Sequence, residues 1–120
     1  MQKILIIDDK EAIAKVIANY FKDEYECIYC ENPLKGIQWL EKNANPDLII
    51  LDLRMPVMSG EEFLNYIKGN ELFKQIPVIV LSSEDNSSIR IRLLENGAED
   101  FILKPFNPME LKVRLKKILK

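Results

Sequence analysis

Three runs of four apolar residues, Ile4-Leu5-Ile6-Ile7, Leu48-Ile49-Ile50-Leu51 and Val78-Ile79-Val80-Leu81, punctuate an otherwise mixed chain. Each is continuous rather than alternating and rich in β-branched residues. That is the pattern of strands covered on both faces within a parallel sheet. The segment Glu26 to Cys30 is more mixed and suits an edge strand. Phe101-Ile102-Leu103 makes a fifth, shorter strand, bounded by Asp100 and by Lys104-Pro105.

Segments of helical period lie between and after these runs. The first carries Ile13, Val16, Ile17, Tyr20 and Phe21 on one stripe. The second opens at Asn32-Pro33, a cap followed by proline at the first helical position, and places Leu34, Ile37 and Leu40 inward. The third begins at Ser59-Gly60-Glu61-Glu62, the spacing of a capping box, with Phe63, Leu64 and Ile67 facing in. The fourth runs from about Ser87 through Ile89, Leu93 and Leu94 to a stop at Gly97. The fifth starts box-like at Asn107-Pro108-Met109-Glu110 and buries Leu111, Leu115, Ile118 and Leu119. Strands alternating with helices predict a doubly wound α/β fold with right-handed crossovers.

At 120 residues the chain is expected to form one domain, spanning 1–120, with no internal repeat or linker. Its first strand begins almost at Met1, so the start reads as native. The end falls at the close of the last helix, where a stand-alone protein and a trimmed multidomain one would both stop. The composition is that of an ordinary globular chain, 48% hydrophobic and 30% charged. A net charge of −2 gives no broad field for nucleic acid, and no apolar run is long enough to span a bilayer. Met-Gln-Lys-Ile-Leu lacks the layout of a signal peptide, so the expected compartment is the cytoplasm.

Histidine is absent, which removes the commonest general base and zinc ligand. Cys27 and Cys30 have C-x-x-C spacing, but on a strand positions i and i+3 point to opposite faces, so they read as ordinary strand cysteines. Chemistry must then run on carboxylates, hydroxyls, lysine or an oxygen-ligated metal.

In an open parallel sheet, ligands bind beyond the carboxyl ends of the strands. Strand one ends in Asp8-Asp9, strand three in Asp52, strand four in Ser82-Ser83 and strand five in Lys104. Two carboxylates ~4 Å apart repel by about 4 kcal/mol at an effective dielectric near 20, so a cluster of them calls for a cation. An all-oxygen set favours Mg²⁺, and a lysine adds a point charge for phosphate oxygens.

With Asp8-Asp9, the run Asp52-Leu53-Arg54-Met55-Pro56-Val57-Met58-Ser59-Gly60, Ser82, Gly97-Ala98 and Lys104-Pro105-Phe106 in order, the chain resembles the receiver domain of two-component response regulators over essentially its full length. The resemblance, chemotaxis-regulator-like in kind, implies a flavodoxin-like sheet of order 2-1-3-4-5 with five helices. It implies that Asp52 accepts a phosphoryl group from a phosphohistidine on a sensor histidine kinase or histidine phosphotransfer protein. Asp9, Asp52 and the backbone carbonyl of Arg54 would hold Mg²⁺ directly, with Asp8 acting through water. Ser82 and Lys104 would hold phosphoryl oxygens, Phe101 would be an aromatic switch turning inward as Ser82 moves, and Lys104-Pro105 would be cis. Such a domain is a regulator rather than an enzyme, catalysing only its own phosphorylation and dephosphorylation, with no direct nucleic-acid or membrane binding.

Arg54 and Glu84 stand two residues after Asp52 and Ser82, with opposite charges that can meet across the site mouth. The last helix is basic through Lys112, Arg114, Lys116, Lys117 and Lys120. Cations near a helix C-terminus are favourable by themselves, while the resemblance also implies output, including homodimerisation, through the fourth helix, fifth strand and fifth helix. Asp100 and Arg114 resemble positions that pair across such dimers. Two other functions share these residues: a small Mg²⁺-dependent phosphatase with an aspartyl intermediate, and a receiver-like module that is never phosphorylated. The phosphatase would want an acidic residue where Arg54 stands.

Overall fold

The computed structural model describes residues 1–119 and orders ten elements along the chain. They are β1 (Gln2–Ile7), α1 (Glu11–Phe21), β2 (Tyr25–Cys30), α2 (Pro33–Lys42), β3 (Leu48–Asp52), α3 (Gly60–Lys68), β4 (Val78–Ser82), α4 (Ser87–Glu95), β5 (Asp100–Leu103) and α5 (Pro108–Ile118). The strands form one parallel sheet in the order β2-β1-β3-β4-β5, as expected.

The continuous apolar runs are explained by two cores, one on each face. Leu5, Ile7, Ile49, Leu51, Val78 and Val80 pack with Leu40, Phe63, Leu64, Ile67 and Leu93 beneath α2, α3 and α4. Ile4, Ile6, Leu48, Ile50, Ile79 and Leu81 pack with Ala14, Ile17, Phe21, Leu111 and Leu115 beneath α1 and α5. Alternate residues of each strand thus serve opposite cores. Cys30 belongs to the first and Cys27 packs against the second, so the two thiols do point to opposite faces, and both are free.

Several expected inward positions are on the surface instead. On α1 the sheet meets Ala14, Ile17 and Phe21, while Val16 and Tyr20 are each 45% exposed. At 3.6 residues per turn these two lie roughly a quarter-turn or more from the buried stripe. On α2 the buried line is Pro33, Gly36 and Leu40, which leaves Leu34 outside. On α4 only Leu93 is buried and Leu94 is exposed, and on α5 Ile118 and Leu119 are half-buried at the open end. A short helix on a flat sheet needs one narrow line of contacts, and apolar residues beside that line stay wet.

The helix starts follow the sequence closely. Asn32 Oδ1 accepts from Lys35 N–H at 2.8 Å, and Ser59 and Glu62 complete a reciprocal capping box. Asn86, one residue before the expected start of α4, caps it through Ser88 and Ile89 N–H. Asn107 caps α5 through Met109 N–H, but Glu110 does not return the bond. Its carboxylate is drawn to Arg114 at 3.3 Å instead. The expected box at α5 is therefore half made.

Two glycines are held by geometry. Gly97 has φ of 110°, which ends α4 in a conformation that side chains disfavour. Gly60 starts α3 against the end of β3, and a Cβ there would lie 2.2 Å from the Asp52 carbonyl oxygen. Because the clash is with backbone, Gly60→Ala is expected to cost about 2–4 kcal/mol, read as a lowered denaturant midpoint with unchanged m-value.

Candidate functional site

Strand register brings the site residues level. Ile7 pairs with Leu51, so Asp8 and Asp52 leave their neighbouring strands side by side. Asp52 pairs with Leu81, so Ser82 lies one step further along, and Ser82 pairs with Leu103, so Lys104 follows at the same rim. Parallel strands in this register deliver four separate stretches of sequence to one place.

Asp8, Asp52 and Ser82 are the buried polar residues there, each less than 5% exposed. One carboxylate oxygen from each of Asp8, Asp9 and Asp52 lies within 4.8 Å of the other two. Lys104 Nζ donates to Asp52 Oδ1 at 2.9 Å and reaches Asp8 Oδ2 at 3.4 Å. Asp9 is more exposed and meets Lys10 Nζ at 3.5 Å. Asp52 Oδ2 is the one buried side-chain oxygen among the described residues with no hydrogen-bond partner. An unpaired buried acceptor costs free energy, so this oxygen carries a desolvation cost that no donor of the protein offsets.

The remaining expected residues fall at the edges. Ser82 Oγ accepts from Glu84 N–H at 2.9 Å, which leaves its hydroxyl hydrogen free to donate. Arg54 clasps Glu84 with two hydrogen bonds, the Nη2–Oε2 contact being 2.9 Å. The pairing expected across the mouth is thus made. A cleft of about 160 Å³ opens beside Asp52, lined also by Lys10, Ile13, Arg54, Ser82 and Lys104. Phe101 is buried in the core beneath α2, α3 and α4, level with Val80, so the inward position expected of it on movement of Ser82 is already taken here. The Lys104-Pro105 bond is cis. Neither aspartate caps α1: Lys10 occupies the cap position without a side-chain bond, and Asp8 Oδ1 accepts Lys10 N–H.

Asp100 and Arg114 pair within the chain, at 2.9 and 3.0 Å. Lys112 and Lys116 both contact Glu24, so much of the basic character of α5 is used internally, while Lys120 lies outside the described residues. Two partners had no signal in the sequence: Tyr29, whose hydroxyl donates to the Asp8 carbonyl, and Arg92, which grips Glu61 between α4 and α3; each joins residues far apart in the chain. The Glu84 N–H on Ser82 was missed although its i, i+2 spacing is that of a serine turn. Val57, five residues after Asp52, is 91% exposed with φ of 72°, a strained setting for a β-branched side chain.

A family model described as the response regulator receiver domain matches residues 4–116. The chain belongs to that family. Among curated relatives of this receiver domain, the phosphate regulon transcriptional regulatory protein PhoB of Pseudomonas aeruginosa is 40% identical over 98% of the chain and 51% of its own length. The sensor histidine kinase TmoS of Ectopseudomonas mendocina is 32% identical over 98% of the chain and 12% of its own length. The chain therefore spans about half of the first relative and a small part of the second. The solved structure of the Vibrio cholerae chemotaxis protein CheY4 is 28% identical, covers 98% of both chains and superposes with a TM-score of 0.90. The receiver fold is flavodoxin-like, and the receiver is a switch of two-component signalling. None of its described helices is long and apolar enough to cross a membrane.

Burial raises the Asp52 carboxyl above its ordinary value; the Lys104 hydrogen bond pulls it back and the Asp8 charge pushes it up again. Between the ordinary and raised values the folded receiver holds a proton that the unfolded chain has released. Stability from this group therefore falls as pH rises through that window and stays reduced above it. Asp52→Asn removes the deficit. In EDTA at neutral pH its thermal midpoint is expected above wild type, the gap closing as pH falls to the ordinary carboxyl value near 4, as followed by circular dichroism.

Proposed function

We propose that residues 1–120 form one receiver domain in which Asp52 accepts a phosphoryl group from a phosphohistidine on a sensor histidine kinase or histidine phosphotransfer protein. The single observation that carries this reading is the unpartnered, buried Asp52 Oδ2 beside a lysine and two more carboxylates. An Asp52 oxygen attacks phosphorus, the phosphorus–nitrogen bond breaks, and the imidazole leaves with the electron pair and takes a proton from solvent. The absence of histidine from the chain fits a donor on another molecule.

The donor set fits Mg²⁺ rather than a softer ion, because it consists of carboxylate and carbonyl oxygens. Asp9, Asp52 and the Arg54 carbonyl would hold the ion, with Asp8 acting through water. When bound, Mg²⁺ supplies charge neutralisation for the carboxylates and the incoming phosphoryl oxygens. Lys104 supplies a positive charge that neutralises part of the growing dianion, and Ser82 offers its free hydroxyl hydrogen to a phosphoryl oxygen. Phe101 acts as the switch by repacking as Ser82 shifts, which biases the surface formed by α4, β5 and α5. Ile91, Leu94, Leu103, Met109 and Val113 are exposed on those elements, which favours a protein contact there, including a second copy of the chain. The reading carries with it a cytoplasmic site of action and no turnover beyond the domain's own phosphorylation and dephosphorylation.

Incubation with acetyl phosphate and Mg²⁺, followed by electrophoresis on a phosphate-retarding gel, tests this directly. A retarded band is expected for wild type and not for Asp52→Asn. Rapid hydrolysis without an adduct would favour a phosphatase, and no adduct with any donor would leave a binding module. The Arg54–Glu84 clasp is read as a shield over the phosphoryl group. Arg54→Ala is therefore expected to speed loss of the group roughly two- to fivefold, as each tenfold is about 1.4 kcal/mol and the pair is exposed. An unchanged decay rate for the loaded variant would sink that role.

A further inference from the structure

We propose that Tyr29 is a positioning residue for the acidic turn, fixing the direction in which Asp8 and Asp9 present their carboxylates to a divalent cation. The inference rests on the phosphoacceptor reading above and names a residue outside its ligand set.

The Asp8-Asp9 turn is a place where the chain has left regular structure. Strand β1 ends at Ile7, and α1 begins at Glu11 with a cap residue, Lys10, that makes no side-chain hydrogen bond. What steadies the turn comes largely from β2. Asp8 N–H donates to the Cys30 carbonyl at 3.3 Å, and the Tyr29 hydroxyl donates to the Asp8 carbonyl at 2.8 Å. That carbonyl oxygen belongs to the peptide joining Asp8 to Asp9. Pinning it sets the plane of the peptide, and a rigid planar peptide sets where the next side chain starts.

The consequence falls mainly on Asp9. Asp8 has its own restraints, since Oδ1 accepts Lys10 N–H at 2.8 Å and Oδ2 lies 3.4 Å from Lys104. The Asp9 carboxylate has only the exposed ammonium of Lys10, at 3.5 Å, among the described residues. Its placement relative to Asp52 therefore depends on the backbone beneath it. Tyr29 is suited to hold that backbone. Its ring is half-buried against the core under α1, so the hydroxyl is carried on a stiff arm with few torsions to freeze. Pre-ordering ligands before the cation arrives lowers the cost of binding it.

Magnesium binding measured by isothermal titration calorimetry on wild type, Tyr29→Phe and Tyr20→Phe tests the inference. Looser ordering of Asp9 in Tyr29→Phe is expected to raise the Mg²⁺ dissociation constant about fivefold, with Tyr20→Phe, an exposed tyrosine on α1, near wild type. Acetyl phosphate loading should slow by the same factor at low Mg²⁺ and regain the wild-type rate at saturating Mg²⁺. Tyr29→Leu, which loses the ring as well, should show the same binding defect with a larger drop in thermal midpoint. An unchanged dissociation constant in both variants, or a lowered rate that saturating Mg²⁺ does not restore, overturns the positioning role. Failure of the wild type itself to bind Mg²⁺ overturns the phosphoacceptor reading instead, so the two failures are distinct.

Discussion

The ammonium of Lys104, 2.9 Å from Asp52 and 3.4 Å from Asp8, is the contact on which the rim of this domain depends. Two buried carboxylates side by side would repel each other and suffer desolvation together. One charge-assisted hydrogen bond and one longer contact make the arrangement tolerable, without satisfying it. Lys104 can do this because β5 lies beside β4 with Ser82 opposite Leu103, which puts the next residue at the rim. The compensation is partial, since Asp52 keeps one oxygen unpaired and its carboxyl stays above its ordinary value. On the phosphoacceptor reading proposed above, that residual cost is what a cation and a phosphoryl group would relieve.

The rest of the fold can be understood as support for that incomplete pair. The two cores hold the central strands β1 and β3 in place, so Asp8 and Asp52, at their ends, cannot readily move apart to relieve repulsion. Gly60 lets α3 begin directly over the Asp52 carbonyl, which closes the floor of the site. Around the mouth the bonds are softer: the exposed Arg54–Glu84 clasp and the Glu84 N–H on Ser82. α4, which buries only Leu93, is tied to α3 by Arg92 and Glu61 at the surface. A stiff floor with weakly held edges is a physical form in which a local charge change can shift surface loops at modest cost.

Similarity to PhoB and to CheY4 identifies the family, and the sheet and rim account for it physically. The relatives also define scale. The chain corresponds to about half of one relative and to a small part of another. Within the chain, Asp100 and Arg114 satisfy each other, and a partner competing for either must first break that pair.

The strands, their order of appearance and the caps at Asn32 and Ser59 were legible in the sequence, because continuous apolar runs and capping residues act over a few neighbours. The rim residues were legible for a related reason: Asp52 and Ser82 end their strands, Asp8 and Lys104 directly follow theirs, and parallel strands end together. The side on which a helix is wet was less clear. Val16, Tyr20, Leu34 and Leu94 look inward by period alone, and only the width of contact between helix and sheet puts them outside. The half-made box at Asn107 was decided by Arg114 competing for Glu110. Tyr29 on Asp8, Arg92 on Glu61 and Glu24 beneath α5 join distant residues, with no spacing to announce them. The sequence by itself determined which groups reach the rim, since that follows from strand ends. Only the tertiary structure decided which oxygen is left unpaired, since that depends on where every neighbouring donor comes to rest.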